Sequence, residues 1–334
     1  MFRDKNILII GGTGTVGQAL LRSILKDSPR VVRIYSRDEF KQFLLQEELT
    51  HHMKTHNNLR FLLGDVRDEA RLDRAMNGID IVFDLAALKH VPACEYNPFE
   101  AVKTNVMGTQ NVIECALKNK VKRVIYTSSD KAVAPTNTMG ATKLLAERLI
   151  SSADYSKGQD QTIFAAVRFG NVLDSRGSVL PLWKDQIQRE RIITVTEPEM
   201  TRFFMHLQEA VTLIRKACEI ARGGEIFVLK MPSVKLGDLA KAAIHHYCQE
   251  LNLDPQTITI KTTGLRPGEK MYEELMTEDE AMYAVEHEDM FCIRPRTKQI
   301  SQENGIRTCP YSSKLEENLS IDQISRLLLQ SRLF

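Results

Sequence analysis

A chain of 334 residues, 43% hydrophobic and 26% charged, is long enough to bury a large core, and its 45 lysines and arginines nearly balance 43 aspartates and glutamates. That balance excludes a broad field for nucleic acid or an anionic membrane, so an anionic ligand has to be held by a local site. No run approaches the ~18 apolar residues of a membrane span, the opening MFRDKNILIIGG is too brief for a secretory leader, and six scattered cysteines form no CxxC pair; a cytoplasmic, reduced protein without a metal site is expected.

From the N-terminus, short β-branched runs alternate with helical patterns: NILII, VVRIYS, LRFLLGD, IDIVFDLAA and VKRVIYTSS are separated by VGQALLRSILKD, DEFKQFLLQEEL, DEARLDRAM and NPFEAVKTNVMGTQNVIECALKN, and GATKLLAERLISS follows. Nearly all-apolar strands in this alternation predict an α/β fold, a Rossmann-type doubly wound parallel sheet with helices on both faces. After FAAVRFGNV the pattern loosens into loops, short strands and helices, as in a smaller mixed α/β substrate-binding domain. The expected division is a dinucleotide-binding domain over 1–170, a mainly substrate-binding domain over 171–295 with some return to the first lobe, and a polar, partly mobile tail over 296–334.

The turn GGTGTVG sets Gly11, Gly14 and Gly17 at three-residue intervals between the first strand and the first helix. Glycines there permit a tight turn and a close approach of backbone to pyrophosphate, and the helix N-terminus favours negative charge. Thr13, Thr15 and Val16 of the same turn join the expected cofactor set. At the tip of the second strand an acidic residue would accept from the adenosine 2′-hydroxyl of NAD; Ser36 and Arg37 instead offer a hydroxyl and a guanidinium fork suited to the 2′-phosphate of NADP, with Lys41 one helical turn later. Asp38 is read as the cap of the next helix. Asp65 and Val66 after the third strand are expected at the adenine, Ala86 and Ala87 after the fourth let the backbone approach the cofactor, and Asn105 in the following helix completes the set.

The motifs GGTGTVG, YSRDEFKQ, GDVRD, AALKHVPACEYNPFEAVKTNVMGT, SSDKAVAPTNTMGATK, VRFGNVLDSRGSV, MTRFF and LRPGEK, in this order from about Lys5 to about Leu275, resemble the nucleotide-sugar 4,6-dehydratases of the extended short-chain dehydrogenase/reductase superfamily. The resemblance is to those that act on UDP-N-acetylglucosamine in polysaccharide and protein-glycan biosynthesis. It implies a redox-neutral dehydration: tightly bound NADP+ takes hydride from C4 of the sugar, the 4-keto group acidifies C5, the C6 hydroxyl leaves, and the hydride returns to C6. It also implies a homo-oligomer.

Asp130 and Lys131 stand just past the fifth strand, where the sugar is expected. A carboxyl and an ammonium beside an apolar pocket have the chemistry for a donor to the leaving hydroxyl and a base at C5. The resemblance makes Asp130 the acid and Lys131 the base. Lys143, four residues after Met139 and on the same helical face, is implied as the nicotinamide-ribose contact. Met139 itself occupies the position where the superfamily usually carries a proton-transferring tyrosine. A thioether transfers no proton, so the C4 hydroxyl falls to Ser129, Asp130 or an ordered water; Ser129 fits the superfamily's serine or threonine at the C4 oxygen, with Ser128 its alternate. Methionine here resembles the branch that retains configuration at C5, which implies the D-xylo product, UDP-2-acetamido-2,6-dideoxy-α-D-xylo-hex-4-ulose.

Expected substrate contacts are Asn171, the loop of Ser175, Arg176, Gly177 and Ser178, Arg202, Arg266 and Glu269, with Lys89 and Met139 near the sugar and His90 structural. GDP in place of UDP would keep every phosphate contact. A 5,6-unsaturated product, a C4 or C5 epimerase and a non-catalytic NADP-binding protein are the other readings.

Overall fold

The computed structural model describes residues 1–173, 175–295 and 309–330. Its first six strands are β1 (Asn6–Ile10), β2 (Val31–Ser36), β3 (Leu59–Leu63), β4 (Ile81–Asp84), β5 (Arg123–Thr127) and β6 (Ile163–Arg168). The later ones are β7 (Asn171–Val172), β8 (Ile192–Val195), β9 (Thr201–Met205), β10 (Ile226–Leu229), β11 (Ser233–Lys235), β12 (Thr259–Thr262), β13 (Glu274–Met276), β14 (Ala284–Glu286), β15 (Met290–Ile293) and β16 (Tyr311–Ser312). One nine-stranded sheet runs β14-β15-β10-β6-β5-β4-β1-β2-β3, parallel from β10 to β3, with β15 and β14 added antiparallel at one edge. Its inner strands are apolar on both faces because helices cover both, as in β10, where Ile226, Phe227, Val228 and Leu229 are all buried.

Strand order reverses beside β1, since β2 lies on one side of it and β4 on the other. A crevice opens at such a switch point beyond the strands' carboxyl ends. Every site stretch singled out in the first half of the chain follows one of these strands, so the topology brings them to one sheet edge.

The chain after residue 170 divides its work. Helix Leu207–Ile220, β10 and the β14–β15 pair extend the first core, whereas Trp183, Ile193, Phe204, Val234, Leu239 and Tyr247 form a second one. The described part of the tail is more ordered than its composition suggested. β16 pairs with β13, and helix Ile321–Gln330 buries Ile324 and Leu328 in the second core. Leu327 and Leu319 pack against the same core while partly exposed. The rest of the expected tail, 296–308 and 331–334, lies outside the described residues.

A single helix was expected across NPFEAVKTNVMGTQNVIECALKN. The structure interrupts it: Pro98–Ala101 leads into a π-helical turn, Val102–Met107, before Gly108–Lys118. Wide turns of this kind commonly sit at functional sites. This one places Asn105, which takes the backbone N–H of Leu88 on its oxygen and donates to Leu88 O and Thr142 Oγ1.

Candidate active site

Gly11 has φ +75°, and a Cβ there would lie 3.0 Å from the backbone of Ala86 and Leu85, so only glycine lets β1 turn this close to the β4 exit. Helix Thr15–Leu25 then begins at Gly14 with no side-chain cap, which leaves its first N–H groups for an anion. Thr13 is buried and its hydroxyl lies 2.8 Å from Ser36 Oγ, tying the turn to the tip of β2. These features fit a dinucleotide's pyrophosphate. Val16 packs at the edge of the first core, and Gly17 is buried in the helix.

At the tip of β2, Arg37 reaches Asp65 at 3.6 Å, and Arg67 holds the same carboxylate at 2.7 Å. Burial raises the Asp65 pKa, but the Arg67 hydrogen bonds and the Arg67 and Arg37 charges outweigh it and leave the carboxyl below its ordinary range. Asp38 does cap helix Glu39–Glu48 through Lys41 N, and its carboxylate also pairs with the Lys41 ammonium. Arg37 is therefore the more available of the two cations. Val66 is buried beneath helix Gly108–Lys118, while Ala86 and Ala87 remain partly open at the β4 exit. Asn105 uses both amide hydrogens inside the protein and holds the Leu88 turn.

Past β5 the chain makes a short turn, Asp130–Ala132, capped by Ser129. Ser129 Oγ donates to Asp130 Oδ1 at 2.6 Å, and Lys131 Nζ lies 3.1 Å from the same oxygen. Asp130 Oδ2 and Ser128 Oγ are buried without a hydrogen-bond partner. Leaving buried polar atoms unpaired is costly. Burial presses Lys131 toward the neutral amine, yet the Asp130 and Glu273 charges outweigh it and raise its pKa.

Helix Thr138–Ser156 starts at Asn137, which accepts from Gly140 N at 2.9 Å. A Cβ on Gly140 would lie 2.2 Å from Lys131 O, so the helix can press against the Asp130–Ala132 turn only with glycine there. Met139, 4% exposed, packs with Cys94 and Ala101. Lys143 Nζ donates to Thr127 O at 2.6 Å and stands 4.3 Å over the Tyr126 ring. Burial pushes Lys143 down to about 8, against the charges of Asp84 and Glu147. Asp84 at the end of β4 is pushed up to about 6 by burial, against Lys143. The buried Tyr126 phenol is raised well above its ordinary value, chiefly by burial.

The loops expected to meet the substrate fold onto this edge. Arg176 N lies 3.3 Å from Thr15 Oγ1, and Lys89 donates to Arg176 O at 2.7 Å, so the Ser175–Ser178 loop spans the glycine turn and the β4 exit. Gly177 lies against the His90 ring. Asn171 binds Phe203 O on neighbouring β9. The LRPGEK loop docks on the start of the Lys143 helix, with Gly268 O accepting from Thr136 and Asn137. Glu269 accepts from Arg266 N in the same exposed loop, and Arg202 donates to Lys270 O at 2.8 Å. Glu273 was not singled out from sequence, yet it is buried 3.7 Å from both Lys131 Nζ and Arg202 Nε. Asp84 was also missed, although a lone carboxylate ending an apolar strand is a usable signal. Among the described residues no cluster of His, Cys, Asp or Glu suits a metal, and no helix is long and apolar enough to cross a membrane.

The profile of the polysaccharide biosynthesis protein family matches residues 7–295. A relative from Campylobacter jejuni subsp. jejuni serotype O:23/36, named UDP-N-acetylglucosamine 4,6-dehydratase (inverting), is 41% identical over 92% of this chain and 87% of its own. A Rickettsia felis relative named UDP-glucose 4-epimerase is 43% identical over 84% and 80%. The solved structure of Pen from Bacillus thuringiensis superposes with a TM-score of 0.92 at 50% identity, covering 98% of each chain.

Proposed function

This chain belongs to the polysaccharide biosynthesis protein family, with the extended short-chain dehydrogenase/reductase fold, and from that premise we propose that it is an NADP-dependent UDP-N-acetylglucosamine 4,6-dehydratase that retains configuration at C5. The observation that carries the reading is the Ser129–Asp130–Lys131 group, a hydroxyl and an ammonium that both reach the same carboxylate oxygen just beyond the end of β5. Bound at the glycine turn, NADP+ would supply the hydride acceptor at C4 and the hydride donor at C6.

The proton steps belong to the chain. Ser129 takes the C4 hydroxyl proton and passes it to Asp130 Oδ1. Lys131, as the free amine, takes the C5 proton. Asp130 then gives its proton to the C6 hydroxyl, which leaves as water, and Lys131 returns the proton to C5. Asp130 and Lys131 finish as they began. Inversion would need a second acid on the opposite face of the sugar; Met139 cannot be one, and the buried Tyr126 phenol holds its proton too tightly. With one exchanging group, the C5 proton returns to the face it left.

NADP rests on Arg37. Replacing Arg37 by Ala is expected to weaken NADP binding about tenfold while leaving NAD within about twofold, because only the 2′-phosphate loses a fork. Calorimetric titration of both cofactors checks this, and equal losses would contradict it. A second reading, a 4-epimerase, is favoured by the Rickettsia relative's name. It keeps the product's mass unchanged, whereas dehydration removes a water.

A further inference from the structure

The proposed C5 step needs Lys131 as a free amine, but its surroundings favour the ammonium. Lys131 stands in a row of buried and half-buried charges drawn from three parts of the chain. Asp130 lies 3.1 Å from Lys131 Nζ within the turn after β5. On the other side stands Glu273, just ahead of β13, whose Oε1 is 3.7 Å from Lys131 Nζ and 3.7 Å from Arg202 Nε on β9. Lys270 also acts on Glu273 through its charge, although its ammonium is engaged by Val133 O at 2.9 Å and by Glu274 at 3.5 Å. Glu273 is held in place by its backbone: its N–H donates to Ser313 Oγ and its carbonyl accepts from Ser313 N.

One carboxylate oxygen thus separates two cations, Lys131 and Arg202. We propose that Glu273 is a positioning residue for the C5 proton step: it suspends the Lys131 side chain between two carboxylates and sets the pH at which that lysine becomes a base. Without its charge, Lys131 would face Arg202 directly and lose its proton at lower pH. The proposal rests on the dehydratase reading, and it assigns Glu273 no contact with the sugar.

Lys131 titration can be read without turnover. The full-length protein is acetylated with acetic anhydride across a pH series, and modification of the Lys131 peptide is followed by mass spectrometry. In Glu273→Gln, close in size, the midpoint is expected to fall by about one pH unit, and the alkaline-rising limb of kcat to move with it. Glu273→Asp, which keeps the charge, should restore the midpoint toward wild type. Should Glu273→Gln fail to fold, Arg202→Gln provides the opposite sign, because removal of that cation should move the midpoint up. An unmoved midpoint in Glu273→Gln, or a downward one in Arg202→Gln, overturns the proposal. Wild-type protein that removes no water from UDP-N-acetylglucosamine overturns the dehydratase reading, and with it the assignment to C5, even where the labelling midpoint shifts.

Discussion

Replacing Lys131 by Met is expected to lower kcat for dehydration of UDP-N-acetylglucosamine by about 10³-fold, the range of a lost general base. Methionine nearly matches the lysine stem in length but has no amine, so C5 keeps its proton after C4 is oxidised. Cofactor binding should survive, because Lys143 and the glycine turn are untouched. The variant should therefore oxidise C4 and stall, leaving reduced nicotinamide visible by absorbance. Asp130 keeps two of its contacts, the Ser129 hydroxyl and the Lys131 backbone N–H, so the turn itself should persist. A kcat within tenfold of wild type would remove Lys131 from the C5 step. The raised Lys131 pKa also sets the direction of the pH profile, with activity rising toward alkaline pH as the amine is freed.

The second large effect is expected far from the sugar. Arg168, at the end of β6, is fully buried; it donates to both oxygens of Glu147 at 3.1 and 2.5 Å and to both of Glu280 at 2.9 and 3.0 Å. Glu147 is one helical turn beyond Lys143, so this network fixes the Lys143 helix to the sheet and to the segment that carries Glu280. Arg168→Met would leave two buried carboxylates facing each other, and loss of one partner of a buried ionic group costs about 3–5 kcal/mol. The melting temperature should fall by on the order of 10 °C. Glu280→Gln should cost less, since Arg168 keeps Glu147. An Arg168→Met protein that melts with wild type would contradict the account. Burial raises the Glu280 pKa, but Arg168 outweighs it and holds the carboxyl below its ordinary 4.5. The stabilisation from that carboxylate is therefore present above the ordinary value and lost as pH falls through the lower folded one.

What the sequence made legible follows from locality. The glycine turn, Ser36 and Arg37, Asp65, and the Ser129–Lys131 stretch each lie at the end of an apolar run, and a parallel sheet carries all such ends to one edge. Met139 and Lys143, four residues apart, share one face of helix Thr138–Ser156, and both are buried there. Glu273 has no such rule. It sits beside Glu274 in a stretch without periodicity, and only the pairing of β13 with β16 and the Ser313 contacts turn it inward. Arg168, Glu147 and Glu280 are 21 and 112 positions apart, too far for any local pattern to join them. The π-helical turn at Asn105 is not legible locally: what surrounds it, Gly108 close against Val66 and the Asn105 bonds to Leu88, is tertiary.

The central claim joins dehydration to retention, and one spectrum tests both. Purified enzyme incubated with NADP+ and UDP-N-acetylglucosamine should yield a nucleotide sugar lighter by one water. Its proton NMR spectrum, recorded fresh, should show a C6 methyl signal and the D-xylo ring. An L-arabino ring would contradict retention and the role given to Met139, and a product of unchanged mass would contradict dehydration itself.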